Sequence, residues 1–175
     1  MGIEAVDQFA AVAACAYAMV LGGVIGYERE MKNRPAGFRT HMLVAGAAAL
    51  LVGIGRVTLD DPLLARGDVR VDPLLLVEAV VAGVAFIGAG TIFGRRSGAD
   101  PVAGITTAAS LLTVAVIGVA TGFRYFWLAT SATVLAMVVL TAVNAVERRL
   151  TPRRRRDRGE LPDSDADRGE GDRDR

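Results

Sequence analysis

Apolar positions in this chain come in long unbroken runs rather than on alternating faces. Five runs stand out, at residues 9–27, 40–55, 74–93, 102–122 and 125–146, and most charges fall in the gaps or beyond the last run. A helix needs about 20 apolar residues to cross a bilayer core, whereas a soluble domain would spread polar positions along amphipathic faces. The second run is the shortest; it reaches spanning length if it extends past Arg56 and that side chain snorkels to the interface. The pattern predicts an all-α, polytopic transmembrane helical bundle of about five spans. Residues 1–147 form the transmembrane domain and 148–175 a charged tail.

Composition sharpens that division. Of the 20 basic residues ten follow Val146, and nine of the 19 acidic residues do so too. Leu150 and Leu161 are the only sizeable apolar side chains in the tail, so it cannot bury a core and is expected to be disordered. Arg148, Arg149 and Arg153 to Arg156 would attract anionic lipid, while the interspersed acids argue against nucleic acid as a partner. Short connections differ in basic content. Arg29, Lys32, Arg34 and Arg39 lie in the first loop and Arg95 and Arg96 in the third, against Arg56, Arg66 and Arg70 in the second and Arg124 in the fourth. The positive-inside rule then places the N-terminus outside and the tail in the cytoplasm, with Phe123, Tyr125, Phe126 and Trp127 as an outer aromatic belt. Glu4 and Asp7 replace the positive stretch of a signal peptide, so the first span is expected to be retained. A single cysteine, Cys15, excludes a disulfide framework or a cysteine metal cluster.

Helices in lipid pack through small residues, and three stripes follow helical spacing. They are Ala11, Cys15, Ala18 and Gly22 on the first span, Ala79, Gly83, Gly90 and Gly94 with Gly88 nearby on the third, and Thr106, Ser110 and Thr113 on the fourth. The glycine-rich segment 86–94 has the wrong spacing for a dinucleotide fingerprint; it reads as close packing or as a span that breaks within the membrane.

Few ionisable groups are candidates for chemistry. Glu78 is the one charge well inside a run, where an acid is costly and marks either a cation path, a helix N-terminus at the interface, or a pair with Arg56 or Arg70. Glu28, Arg29 and Glu30 close the first span and Arg39 opens the second, so opposite charges should meet at one membrane face. Glu28 and Glu30 point to different sides of a helix, which makes a shared Mg²⁺ site weak. His41, the only histidine, is expected to pack at the interface. With no catalytic constellation in the sequence, neither enzymatic activity, nor a cofactor, nor a resident metal is expected.

Two blocks are recognisable. The first runs from Gly22-Gly23-Val24-Ile25-Gly26-Tyr27-Glu28-Arg29-Glu30 through Pro35-Ala36-Gly37-Phe38-Arg39-Thr40-His41; the second joins Phe86-Ile87-Gly88-Ala89-Gly90-Thr91-Ile92 to Val102-Ala103-Gly104-Ile105-Thr106-Thr107-Ala108-Ala109. In order and spacing they resemble the signatures of the MgtC/SapB family of small bacterial membrane proteins, over roughly residues 10 to 146. Ala85, the segment 74–79 and Leu111-Leu112 depart from the family pattern, and the charged tail is expected to stand where some members carry a folded C-terminal domain. The resemblance implies a multi-pass protein of the bacterial inner (plasma) membrane, linked to growth under magnesium limitation, acid stress or survival inside host cells. Magnesium transport and regulation of other membrane proteins are the two activities it suggests. Its motifs mark Glu28, Arg29, Pro35, Gly37, Arg39, Thr40, Gly88, Gly90, Gly104, Thr106 and Thr107 as candidate functional residues, to which the intramembrane position adds Glu78.

The expected function is non-enzymatic modulation of magnesium or pH homeostasis through contacts with membrane-protein partners or a second copy. The alternatives are a Mg²⁺ or proton/cation transporter using Glu78 and the Thr106/Ser110/Thr113 face, and a structural element whose tail recruits a cytoplasmic partner.

Overall fold

The computed structural model describes residues 3–59, 72–93 and 101–150. Five helices follow one another: α1 (Ile3–Met31), α2 (Phe38–Leu59), α3 (Pro73–Phe93), α4 (Pro101–Gly122) and α5 (Phe126–Leu150), with no strand among the described residues. Four of them are long and apolar enough to cross a membrane, α1 over Ala5–Met31, α2 and α3 throughout, and α4 over Gly104–Gly122; the apolar stretch of α5, Phe126–Ala142, is shorter. The second run indeed continues past Arg56, to Leu59. The expectations placed on Arg66, Arg70, Arg95, Arg96 and the tail from residue 151 lie outside the described residues.

Residues up to Val138 form one compact unit. Within it α2 packs along both α1 and α4, which also touch each other. The approach is so close that side chains are excluded at regular intervals. A Cβ on Gly22 would lie 2.6 Å from the His41 carbonyl oxygen, and one on Gly26 2.8 Å from the Phe38 Cα. On α4, a Cβ on Gly122 would stand 2.7 Å from the Ala49 carbonyl oxygen, and one on Gly118 would run into the Ala45 carbonyl. Lipid gives no hydrophobic drive between helices, so this contact between backbones is the main attraction holding the three together. Ala45, Ala49, Val52, Leu111, Val114 and Ala115 fill what space remains and are all fully buried. The stripe predicted on α1 is part of this seam, where Cys15 donates to the Gly46 carbonyl.

The stripe expected on α3 is a different matter. Gly88 rests against Ala108 of α4, and Gly104 of α4 against the Thr91 backbone, but nothing lies within 4 Å of a Cβ at Gly83 or Gly90. Among the described residues, α3 buries the side that carries Val80, Val84 and Gly88. α3 also runs unbroken through Gly88 and Gly90 to Phe93, so the reading of a span that breaks there is not borne out up to that residue; Gly94 lies outside the described residues. Tyr17 joins α1 to α5: its hydroxyl is 2.6 Å from Thr130 Oγ1 and its ring meets Phe126 edge-on at 5.4 Å.

The turns are set by local chemistry. α1 ends in a Schellman arrangement, with Asn33 at φ 51° and bonds from Arg34 N–H to the Arg29 carbonyl and from Asn33 N–H to the Glu30 carbonyl. α4 ends the same way, with Arg124 at φ 64° and its guanidinium 3.6 Å from Asp7. α3 starts on Asp72, whose carboxylate accepts the Leu74 N–H, with Pro73 as first helical residue. At the start of α2, Glu30 Oε2 accepts the Phe38 N–H at 2.8 Å, and a Cβ on Gly37 would sit 2.8 Å from that same oxygen. Gly37→Ala is accordingly expected to push the carboxylate off the helix start and cost about 1 kcal/mol, measured by unfolding in mixed micelles.

Candidate functional site

The end of α1, the start of α2 and the first turns of α4 enclose a polar cluster in an otherwise apolar bundle. Each member arrives for a sequence reason. Arg29 and Glu28 lie in the last turn of α1, held against α2 by the glycines one and two turns earlier. His41 lies in the first turn of α2, on the face turned toward α4, and Thr107 and Ser110 lie one turn apart on α4.

All five side chains are buried: Arg29 is 2% exposed, Glu28 8%, His41 and Thr107 0% and Ser110 5%. Arg29 Nη2 donates to Thr107 Oγ1 at 3.3 Å, linking α1 to α4. His41 links α2 to α4: Nδ1 is 2.9 Å from the Gly37 carbonyl oxygen and Nε2 3.1 Å from Ser110 Oγ. Ser110 Oγ in turn lies 2.8 Å from the Thr107 carbonyl oxygen. Glu28 Oε1 pairs with Lys32, one turn on. Satisfaction is incomplete, since Glu28 Oε2, Arg29 Nε and Arg34 Nε are buried with no hydrogen-bond partner. A buried charge with so few bonds is costly, by several kcal/mol when it stands alone.

The sequence candidates divide around it. Glu28, Arg29, Gly37 and Thr107 belong to the cluster, and Gly88 and Gly104 set the α3–α4 contact below it. Pro35 and Arg39 are exposed on the loop and at the start of α2, and Thr40 is half-buried beside His41. Glu28 does not cross to Arg39, as the charge pattern suggested; its partner is Lys32, while Glu30 caps α2. Thr106 is exposed, Ser110 buried and Thr113 half-buried with its hydroxyl on the Ala109 carbonyl, so the hydroxyl stripe does not line one face of the interior. Gly90 is open. Glu78 is exposed on the outer side of α3, near its start and at the other end of the bundle from the cluster. His41 and Ser110 are the cluster members that sequence reasoning undervalued; the signal for His41 was its polar ring immediately after the charged loop of an apolar chain.

Long apolar helices built around a backbone-tight core, with a polar cluster at one end, define a helical membrane protein. The chain belongs to the MgtC family, whose family model matches residues 15–149. It is 39% identical over 139 residues to the protein MgtC of Brucella abortus, covering 79% of this chain and 52% of the relative. Identity to SapB of Bacillus subtilis is 32% over 138 residues, or 78% of this chain and 58% of that one. YhiD of Escherichia coli K12, whose name proposes a magnesium transporter, is 35% identical over 133 residues, 76% of this chain and 60% of its own. The chain thus spans between half and two thirds of the length of these relatives. No solved structure matches it.

Proposed function

We propose that this protein acts in the bacterial plasma membrane without catalysing a reaction, modulating magnesium or pH homeostasis through contacts with other membrane proteins or a second copy. Its N-terminus lies outside, and the loop of residues 32–37 and the polar cluster face the cytoplasm. The observation that carries the reading is the convergence of the two signature blocks. Residues 78 positions apart in the chain meet as Arg29 on Thr107, in a buried cluster that ties α1, α2 and α4 together. A cluster that links three helices is suited to setting their relative arrangement, and thereby the surface they offer to a partner. The outward position of Glu78 and Thr106 also favours this reading over a conduction path along the hydroxyl face.

The competing reading is a Mg²⁺ or cation transporter, suggested by the name of the Escherichia coli relative. Purified full-length protein in liposomes separates the two. Wild type is expected to give no Mg²⁺ or H⁺ flux above protein-free vesicles, and Glu78→Gln is expected to leave growth under magnesium limitation unchanged in a strain that depends on this protein. Flux that disappears in Glu78→Gln would overturn the regulatory reading. Removal of residues 151–175 should preserve complementation; its loss would instead favour a tail that recruits a cytoplasmic partner.

A further inference from the structure

The hydrogen bonds around His41 cannot all exist in one neutral arrangement. A carbonyl oxygen only accepts, and a serine hydroxyl has one proton to give. Nδ1 faces the Gly37 carbonyl at 2.9 Å, so Nδ1 carries a proton. Nε2 faces Ser110 Oγ at 3.1 Å, and that oxygen also faces the Thr107 carbonyl at 2.8 Å. If the hydroxyl proton turns to the ring, the imidazole is neutral and the Thr107 carbonyl is left to its helical partner. If the hydroxyl proton turns to the carbonyl, Nε2 must donate and the ring is an imidazolium. Both arrangements use the same heavy-atom positions and differ by one proton.

We propose that His41 is a proton-operated switch that sets the polarity of the α2–α4 bond through Ser110. The ring is fully buried, and few charged groups stand around it. From α1 it faces Glu28 and Arg29, with Lys32 tied to Glu28. α4 has no ionisable side chain anywhere in its length, and α5 has none over residues 126–142. On α2 itself Arg39 is exposed, and Glu78 of α3 lies at the far end of the bundle. A proton on His41 is therefore a second positive charge beside Arg29; among the described residues Glu28, with Oε2 unpartnered, is the carboxylate that faces the ring, while Glu30 is held on the Phe38 N–H. Acidification strengthens the bond to Ser110, which becomes charge-assisted, while setting His41 against Arg29, whose bond to Thr107 is already long at 3.3 Å. As regulation, the switch rests on the reading of this cluster as the functional centre; as chemistry it stands alone.

His41 is the sole histidine, so histidine-labelled full-length protein in lipid nanodiscs gives a single imidazole signal by NMR. As the pH falls from about 8 to about 4 the Nε2 resonance is expected to move from the neutral to the protonated position while Nδ1 stays hydrogen-bonded. Ser110→Ala should lower the proton affinity about fivefold by removing the charge-assisted partner, and Ser110→Thr should restore it. Arg29→Gln, which lifts the like charge, should raise the affinity about threefold and serves if Ser110→Ala does not fold. A ring that keeps one protonation state throughout, or a titration that both Ser110→Ala and Arg29→Gln leave in place, overturns the proposal. A titration that moves as expected, with normal growth of every variant under magnesium limitation, keeps the switch and removes the regulatory reading instead.

Discussion

Replacing Gly118 by leucine is expected to destabilise the protein by about 3 kcal/mol or more, in unfolding titrations of the reconstituted chain. The reason is the nature of the neighbour. A Cβ at this position meets the backbone carbonyl of Ala45 and the Cβ of Ala48, and a backbone carbonyl cannot rotate out of the way. α4 would have to lift from α2 along a seam that also includes Gly122, and the van der Waals contact of the whole seam would weaken with it. Gly83→Leu is the matched control: nothing lies within 4 Å of its Cβ, so its effect should stay within about 1 kcal/mol, the difference in helix propensity. Equal losses in the two variants would mean that α2 and α4 do not meet as described.

The second large effect is expected at Arg29. Arg29→Ala removes the guanidinium from Thr107 and leaves Glu28 buried with Lys32 as its counter-charge. Breaking a buried charge cluster from one side typically costs about 3–5 kcal/mol. Growth under magnesium limitation should fail with it. Arg29→Lys keeps the charge but not the planar fork, and should recover only part of the loss. A double-mutant cycle with Thr107→Val should return a coupling of about 1–2 kcal/mol for the hydrogen bond itself. Additive single effects would place Arg29 elsewhere.

Residue by residue, the helices were easier to read than the site. The apolar runs had no competing explanation, because a bilayer demands length and forgives little else, and the α1 stripe through Ala11, Cys15, Ala18 and Gly22 named the face that meets α2. Gly118 and Gly122 share the same four-residue spacing and were as visible, yet the hydroxyl stripe drew attention to the other side of α4. That stripe misled because residues 106 and 107 differ by one step of rotation: Thr106 is exposed and Thr107 fully buried. Which of them faces inward depends on how α4 rolls against α2, and that is set by the glycines rather than by the hydroxyls. Depth along a helix likewise says nothing about which side a residue faces, and Glu78 is exposed near the start of α3. The bond between His41 and Ser110 joins residues 69 apart and has no local signature at all.

The central place of α2 has a consequence for biogenesis. α1 and α2 are made in succession and can close their seam as a hairpin as soon as both have left the ribosome. The wall of α2 that carries Ala48 and Val52 stays turned to lipid until α4 has been synthesised and inserted. During that interval the His41 imidazole lacks Ser110 and the Arg29 guanidinium lacks Thr107. Polar groups left without partners in hydrocarbon are what membrane quality control has to detect, and here they disappear when the fourth helix docks. The cluster that marks the finished protein is therefore also what exposes the unfinished one.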